Sequence, residues 1–208
     1  MAVLLKELFV ILPMECLIGI KFDDFVILAS DSRINHSIIT LKQDVDKMFK
    51  LSNRVLMSVC GEAGDTVQFA EYIQQNMQLY EMRNGYELSP SSAANFTRRN
   101  LAEALRSRHP YMVNLLIAGY NPDTGPELYY MDYLASMVKV PYAVHGHGGF
   151  VTLSIMDSKY DAKMTEANAV QLLKACVDEL QKRFVITQDR FVVRVVDKDG
   201  VRQLPDIV

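Results

Sequence analysis

The sequence predicts an α+β protein in which two β-sheets pack face to face, with a layer of helices on the outer side of each sheet. Three observations lead to this four-layered αββα arrangement. The predicted elements follow the order strands, two helices, strands, two helices, strand, without the regular alternation that is typical of parallel α/β folds. The run 25–29 is apolar on both faces, as expected for a strand that is covered on both sides. The two helix pairs are well separated along the chain, so each pair can cover a different sheet.

Short strands precede the first predicted helix. Starting at Cys16, apolar residues occupy every second position as far as Phe22, and this period of two indicates a strand. A tight turn at Asp23-Asp24 leads to the fully apolar strand, which ends at Asp31. The first four strands are expected near residues 16–22, 25–29, 47–51 and 54–60.

Two consecutive helices are expected to form the first helical layer. Asp65 is predicted to cap the first helix, in which apolar residues recur at helical spacing until Gly85. Ser89 and Pro90 are predicted to open the second helix, because proline is favoured at the first helical position. This second helix ends before Pro110.

The second half of the chain repeats the pattern of strands followed by helices. A glycine cluster leads to a short helical segment around residues 150–157, and Thr165 is predicted to cap a last helix with an apolar stripe. Strands are expected at residues 113–120, at 127–131, near 138–144 and at 191–196.

Composition indicates one domain and argues against nucleic acid as the main partner. The chain has 208 residues, of which 50% are hydrophobic, and its 22 Lys and Arg against 25 Asp and Glu give a net charge of −3. A chain of this length can bury a sizeable core without a disulfide or a metal. Proteins that bind a phosphate backbone carry clustered positive charge, which this balance does not favour.

The three cysteines, Cys16, Cys60 and Cys176, favour a reducing compartment. Their number is odd and they form no C-x-x-C pair, which fits neither a secreted disulfide framework nor a zinc knuckle. We therefore expect the cytoplasm and the nucleus as the location of the protein.

The first thirteen residues are interpreted as an N-terminal extension, followed by a single domain over residues 14–208. Lys6 and Glu7 interrupt the apolar start, and the uncharged run 8–14 is too short to span a membrane. A basic start and a cleavage site of small residues, both typical of a signal peptide, are missing. The extension is either a tail or the result of an upstream start codon, with translation beginning at Met14.

The glycine cluster 145–149 contains two histidines, His145 and His147, that could suggest a metal or phosphate site. No cysteine or aspartate at ligand spacing completes a tetrahedral zinc set, and no lysine accompanies the glycines as in a phosphate-binding loop. A tight, glycine-lined turn between a strand and a helix is the favoured interpretation, and no metal or cofactor is expected.

Asp31 and Lys47 are the more informative charged residues. Each lies beside an apolar strand, where an unpaired charge would be costly, so each is expected to have a partner. A lysine near a nucleophile could assist hydrolysis, with the aspartate orienting the lysine. A structural ion pair has the same appearance in sequence and is favoured from the residues alone.

Four segments together resemble the beta subunits of the proteasome core particle, and in particular members that carry no active site. The resemblance covers residues 14 to about 200. The segments are LIGIKFDDFVILASDSR, DKMFKLSNRVLMSVCGEAGDTVQFAEYIQQN, YEMRNGYELSPSSAANFTRRNLAEALRS and NLLIAGYNPDTGPELYYMDYLA. The resemblance implies the four-layered fold of N-terminal-nucleophile hydrolases, which agrees with the predicted order of elements.

Active members of that family use an N-terminal threonine, released by cleavage after glycine, together with an aspartate and a lysine. By this resemblance the aspartate corresponds to Asp31, the lysine to Lys47 and the threonine to Glu15. A glutamate carboxylate is a poor nucleophile toward an amide, and Met14 replaces the glycine of the processing site. We therefore expect no catalytic residue in this chain and a structural role for the Asp31–Lys47 pair.

Other active-site positions of the family are also replaced. The family's serine near the glycine turn corresponds to about His147, and its later aspartate and serine fall near Phe184 and Thr187. One alternative is a self-standing amidohydrolase that uses Cys16 after cleavage. Cys16 lies one residue out of register, which turns its side chain toward the apolar core with Ile18 and Ile20.

The resemblance implies a non-catalytic structural subunit that builds the beta ring and the wall of the proteolytic chamber, in ubiquitin-dependent protein degradation. Its partners would be neighbouring beta subunits, the alpha ring and the opposite beta ring, with assembly chaperones and a regulatory particle acting indirectly. The helices within residues 65–108 would face the alpha ring, and the later pair would face the opposite beta ring. No nucleic acid or membrane partner is expected.

Overall fold

The chain forms four layers in the order helices, sheet, sheet, helices, which confirms the predicted fold class. The computed structural model describes residues 15–36, 39–184 and 188–208. The predicted N-terminal extension, residues 1–13, lies outside the described residues.

The first sheet has five antiparallel strands in the spatial order β10-β1-β2-β11-β12. These strands are β1 (Cys16–Lys21), β2 (Val26–Asp31), β10 (Tyr142–Gly146), β11 (Phe191–Asp197) and β12 (Gly200–Gln203). Asp23 and Asp24 form the predicted tight turn between β1 and β2, closed by a hydrogen bond from Phe22 N–H to the Phe25 carbonyl at 2.8 Å.

The second sheet also has five antiparallel strands, here in sequence order. They are β5 (Met48–Ser52), β6 (Val55–Gly61), β7 (Val113–Asn121), β8 (Gly125–Met131) and β9 (Met137–Lys139). A separate two-stranded hairpin consists of β3 (Ile34–His36) and β4 (Ile39–Lys42).

Within the described part of the chain, four helices cover the outer faces, namely α1 (Ala63–Asn84), α2 (Pro90–Leu105), α3 (Gly149–Lys159) and α4 (Glu166–Arg183). The predicted start of α2 is confirmed, because the Ser89 hydroxyl accepts a hydrogen bond from Ser92 N–H at 3.2 Å. Thr165 occupies the N-cap position of α4 but makes no side-chain cap hydrogen bond. Among the described residues, no helix is long and apolar enough to cross a membrane.

The prediction of Asp65 as the N-cap of α1 is wrong. The cap residue is Glu62, whose carbonyl already accepts from Thr66 N–H at 2.9 Å. The Asp65 carboxylate instead accepts from the backbone N–H of Met112 at 3.0 Å, which ties the first turn of α1 to the chain that leads into β7.

Alternation along β1 assigns its side chains to two different cores. Cys16, Ile18 and Ile20 are buried against α3 and α4, in a core to which Ala169 and Leu173 of α4 contribute. Leu17 lies on the opposite face, in the core between the two sheets. That inter-sheet core consists mainly of aliphatic side chains from both sheets, including Leu17, Val26, Leu28, Leu56, Leu116, Ala118 and Leu128. A third core lies between the second sheet and the helices α1 and α2.

The single strand predicted near residues 138–144 is in fact two strands in different sheets. Val140 N–H donates to the Leu128 carbonyl of the second sheet at 3.0 Å, whereas the Pro141 carbonyl accepts from Lys21 N–H of the first sheet at 2.7 Å. Proline has no N–H to continue a strand ladder, so the chain crosses between the sheets at this residue.

Two short elements were not predicted from the sequence. The strands of the β3–β4 hairpin carry exposed apolar residues such as Ile39 and Leu41, so they lack the pattern of a half-buried strand. Strand β12 has only four residues and follows β11 after a tight turn that ends at Gly200. Gly200 has a φ of 116°, a conformation that favours glycine.

Close approach of the two sheets depends on Gly19, and substitution there is expected to destabilise the protein. A Cβ atom at this position would lie 3.0 Å from Leu128 Cδ1, 3.1 Å from Leu28 Cδ2 and 3.2 Å from Leu116 Cδ1. Gly19→Val should lower the free energy of unfolding by about 1–3 kcal/mol, because the added methyl groups overpack the inter-sheet core.

Urea unfolding of the full chain measures this effect. Gly64→Ala is the control, since a Cβ at Gly64 meets no atom within 4 Å. We expect the control to keep or slightly raise the midpoint. An unchanged midpoint for Gly19→Val would show that the sheets do not depend on this contact.

A second close contact joins β1 to the start of α3. A Cβ at Gly148 would lie only 2.2 Å from Cys16 Sγ, so Gly148→Ala cannot be accommodated without a shift of the backbone. We expect this variant to lose about 1–3 kcal/mol of stability. Cys16→Ala removes the sulfur atom and makes room for the new methyl group.

The double variant Gly148→Ala/Cys16→Ala should therefore be more stable than the sum of the two single losses predicts. A double-mutant cycle from chemical unfolding gives this coupling. Additive losses would contradict the contact.

Candidate functional site

Asp31 and Lys47, the pair predicted from the sequence, lie in direct contact. Asp31 ends β2 in the first sheet and is completely buried, and Lys47 directly precedes β5 in the second sheet with 4% of its surface exposed. The Lys47 ammonium donates to both carboxylate oxygens of Asp31 at 2.9 Å. The ion pair therefore connects the two sheets at one end of their shared core.

Glu15 is a third member of this cluster that sequence reasoning missed. It directly precedes β1, and its Oε1 lies 3.0 Å from Lys47 Nζ. Its other oxygen, Oε2, accepts a hydrogen bond from Gly61 N–H at 3.0 Å, at the end of β6. A charged residue next to an apolar strand was the available signal, because such a charge needs a partner once it is buried. We refer to Glu15, Asp31 and Lys47 as the charge cluster.

Lys47 uses its full hydrogen-bonding capacity within this arrangement. Besides the two carboxylates, it donates to the backbone carbonyl of Arg33 at 2.6 Å. An ammonium group has three protons, so the carboxylates of Asp31 and Glu15 and this carbonyl account for all of them. The side chain is held in place from three directions.

Two backbone N–H groups also donate hydrogen bonds to the carboxylate of Asp31. Its Oδ1 accepts from Cys16 N–H at 2.9 Å, and its Oδ2 accepts from Arg33 N–H at 3.3 Å. The cluster thus balances two carboxylates with one ammonium and several backbone donors. These donors provide hydrogen-bond partners for carboxylate oxygens that are buried away from water.

Burial and neighbouring charges shift the acid–base properties of the cluster in definite directions. Burial raises the pKa of Glu15, and the attraction of Lys47 only partly opposes this shift. For Lys47, burial favours the neutral form, but the carboxylates of Asp31 and Glu15 outweigh it and raise the pKa. A lysine that acts as a base needs a lowered pKa, so this Lys47 is suited to hold a positive charge rather than to accept a proton.

Cys16, the alternative nucleophile, lies on the other face of β1, as predicted. Its side chain is fully buried in the core between the first sheet and α3 and α4. Burial, reinforced by the negative charge of Asp31, raises the pKa of the thiol. A reactive cysteine needs an exposed, electropositive environment, which this position lacks.

The glycine cluster forms the predicted tight turn between β10 and α3. Gly146 has a φ of 83°, and Gly148 is the N-cap residue of α3. His145 is buried, with Nε2 3.0 Å from the Leu115 carbonyl and its ring stacked on Tyr130 at a centroid distance of 4.1 Å. Burial lowers the pKa of His145 to about 4, so the ring is neutral at physiological pH.

Two of the remaining positions compared with the family lie in the described part of the chain. His147 is half-buried within the glycine turn, and Phe184 packs against the helix-side core of the first sheet. Thr187 lies outside the described residues. Within residues 15–36, 39–184 and 188–208, no group of three or more His, Cys, Asp and Glu side chains could hold a metal ion.

Comparison with known proteins identifies the family. The model of the proteasome subunit family matches residues 14–196. Proteasome subunit beta type-4 of Saccharomyces cerevisiae is 50% identical over 194 residues, which cover 93% of this chain and 98% of that protein. The probable proteasome subunit beta type-4 of Schizosaccharomyces pombe is 49% identical over 192 residues, covering 92% and 99% of the two chains.

A plant relative extends this similarity to a subunit with a different type number. Proteasome subunit beta type-2-B of Arabidopsis thaliana is 45% identical over 190 residues, which cover 91% of this chain and 95% of that protein. The sequence segments quoted above resemble the beta type-2 subunits, and the relatives carry both type-2 and type-4 names. With the four-layered fold and these similarities over nine-tenths of its length, the chain belongs to the proteasome subunit family as a beta-type member.

Proposed function

We propose that this chain is a non-catalytic, structural subunit of the proteasome core particle, where it builds the beta ring and part of the chamber wall. The contact between Glu15 and Lys47 carries this proposal. Glu15 occupies the position that corresponds to the family's threonine, and its carboxylate binds the lysine that would otherwise assist a nucleophile. The residues of the former site are used to hold the sheets together.

The chemistry of Glu15 supports this assignment. A carboxylate anion paired with an ammonium group has little nucleophilicity toward an amide carbon. In the sequence, Met14 precedes Glu15, so the α-amino group that would serve as the local base is part of a peptide bond. Lys47 keeps its proton because two carboxylates stabilise the charged form.

The competing function, an amidohydrolase with Cys16 as nucleophile, is disfavoured by geometry. The Cys16 backbone N–H donates to Asp31 while its thiol points away, into the core that contains Ile18 and Ile20. A freed N-terminus at Cys16 would not turn the thiol toward Lys47, because successive side chains of a strand lie on opposite faces.

The same proposal specifies partners and location. The neighbours would be other beta subunits, an alpha ring next to α1 and α2, and a second beta ring next to α3 and α4. Exposed apolar side chains occur on both helical layers, for example Met82 on α1 and Phe150 on α3. Such residues support interfaces on both outer faces. We place the protein in the cytoplasm and the nucleus, which agrees with its three free, buried cysteines.

Native sizing of a cell lysate tests the proposed function. We expect the full chain to migrate only within a particle of several hundred kilodaltons that contains other proteasome subunits, identified by mass spectrometry. Migration as a monomer, or a mature N-terminus at Cys16 in Edman sequencing, would contradict the proposal.

A second test separates a structural from a catalytic role of the charge cluster. Lys47→Met leaves Glu15 and Asp31 buried without their cation, and we expect a loss of about 3–5 kcal/mol in the free energy of unfolding. The loss should shrink at acidic pH, because burial raises the pKa of Glu15 and the ammonium that opposes this shift is gone, so the folded chain takes up a proton there at a higher pH than the unfolded chain does.

The triple variant Glu15→Gln/Asp31→Asn/Lys47→Met removes all three charges and should recover most of the stability. Lys182→Met, which breaks an exposed pair with Glu179, is the control and should leave the unfolding midpoint unchanged. Particles that contain the triple variant should retain every peptidase activity. Loss of one activity with normal assembly would show that the cluster acts in catalysis.

A further inference from the structure

The C-terminal end of α1 carries a pair of residues with a chemistry of its own. Asn84 is the last residue of the helix and Gly85 follows it, and both are exposed. In an Asn-Gly pair the backbone nitrogen of the glycine can attack the side-chain amide of the asparagine, because glycine has no side chain that hinders the approach. Every other asparagine in the sequence is followed by a larger residue.

This reaction, deamidation, needs only water as a co-reactant. The Gly85 nitrogen forms a bond to Cγ of Asn84, the bond from Cγ to Nδ2 breaks, and ammonia leaves with the proton of the Gly85 N–H. Water then opens the resulting succinimide ring at one of its two carbonyl carbons. The products are an aspartate and an isoaspartate, in which the former side-chain carbon belongs to the backbone.

The folded helix end holds both reacting groups in hydrogen bonds. Gly85 N–H donates to the Glu81 carbonyl at 2.8 Å, and Asn84 Nδ2 donates to the Tyr80 carbonyl at 2.8 Å. Gly85 has a φ of 75°, so this is the left-handed type of helix C-cap. Both hydrogen bonds must break before the glycine nitrogen and the asparagine amide can meet.

Tyr80 and Tyr86 enclose this pair from both sides, and we call them the tyrosine clasp. Their rings meet edge to face with centroids 5.6 Å apart, and their hydroxyl oxygens are 2.8 Å apart. A contact between the residue after the cap and the last turn often accompanies this type of C-cap, and aromatic pairs of this geometry are favourable.

Only local contacts close the end of α1. Met77 is the last residue of the helix that is buried, and Tyr86 is 59% exposed. The turn that follows Met77 can therefore open without disturbing the three cores. Helix ends with few buried contacts open at a low free-energy cost.

We propose that Asn84-Gly85 is a site of spontaneous deamidation that is closed while the last turn of α1 is formed and reacts when this turn opens. A helix end opens and closes on the order of a microsecond, far faster than the chemical step. The rate in the folded chain is therefore the rate in the unfolded chain multiplied by the fraction of time for which the turn is open. This chemistry belongs to the chain itself and does not depend on the proposed function.

The reaction cannot be reversed by closing the turn again. An isoaspartate lengthens the backbone at the cap, and either product places a carboxylate at the negative end of the α1 dipole, which disfavours the helical turn. The modified chain should therefore lose the hydrogen-exchange protection of the Gly85 amide.

Peptide mass spectrometry of the full chain, incubated at neutral pH in buffer or in urea, tests the proposal. In urea, we expect Asn84 to deamidate faster than every other asparagine. In buffer, the rate at Asn84 should fall by the protection factor of the Gly85 amide, measured by hydrogen exchange. Asn76 is the internal control, because its amide donates to the Tyr72 carbonyl at 2.7 Å in the same helix but no glycine follows it. Asn76 should stay unmodified in both samples.

Variants of the tyrosine clasp test the role of opening. Tyr86→Ala should raise the deamidation rate in buffer by about two- to tenfold, because the aromatic pair is lost, and should leave the rate in urea unchanged. Tyr86→Phe keeps the ring contact and should give an intermediate rate. Tyr72→Ala, at an exposed tyrosine of α1 outside the clasp, is the matched control and should not raise the rate.

Three outcomes would overturn the proposal. These are equal rates at Asn84 in buffer and in urea, no preference for Asn84 in urea, or a rate in buffer that does not follow the protection of the Gly85 amide across the clasp variants. Circular dichroism shows whether each variant is folded. The comparison of buffer with urea uses the unsubstituted chain, so it decides the matter even where a clasp variant fails to fold.

Discussion

The two sheets share one apolar layer, and this shared layer constrains the strands on both sides of it. A strand that contacts the other sheet on one face and a helical layer on the opposite face has no side that faces water. Leu28 and Ala29 are neighbours on β2, yet Leu28 lies in the inter-sheet core and Ala29 in the helix-side core. Burying a charged group within these strands is therefore costly, and the buried charges of Asp31 and Lys47 lie at strand ends.

The charge cluster lies where β2 ends and where β1 and β5 begin. Asp31 belongs to the first sheet, Lys47 to the second, and Glu15 spans the gap between the start of β1 and the end of β6. Contacts between these residues therefore connect the sheets by polar interactions where the apolar contact stops. Removing a single partner leaves an uncompensated buried charge, which costs more than the intact pair contributes. This asymmetry makes the loss of any one member of the cluster destabilising, whether or not the cluster takes part in a reaction.

Most of the helices and strands could be predicted from the spacing of apolar residues, because this spacing indicates which faces of an element are buried. The apolar run 25–29 indicated a strand covered on both faces, and Ser89-Pro90 marked the start of α2, both as found. Cys16 was predicted to point toward the apolar core together with Ile18 and Ile20, and all three side chains lie in the core against α3 and α4. These features depend on residues close together in sequence, where geometry is nearly fixed by backbone type.

Features that depend on distant partners could not be predicted in this way. Asp65 has the sequence of an N-cap but is used by the backbone of Met112, which is 47 residues away. Val140 and Pro141 look like one strand, although the two residues bond to different sheets.

In the candidate site, too, some residues could be predicted from their sequence neighbours, whereas a contact between distant residues was missed. Asp31 and Lys47 could be recognised because each is a charge beside an apolar strand, and the resemblance to the proteasome beta subunits assigned them to one site. Glu15 carries the same signal, a charge next to an apolar strand, but the resemblance aligned it with a nucleophile and therefore gave no reason to look for a partner of its carboxylate. In the structure Glu15 binds both Lys47 and the Gly61 N–H, so it adds a connection between the sheets.

The start of β1 thus carries a charged side chain that is long enough to reach both sheets. From its position directly before β1, the Glu15 carboxylate reaches the ammonium group of Lys47. Its second oxygen satisfies a backbone donor that would otherwise need water or another partner. Glu15, Asp31 and Lys47 therefore act together as structural anchors that hold the two sheets in contact at this end.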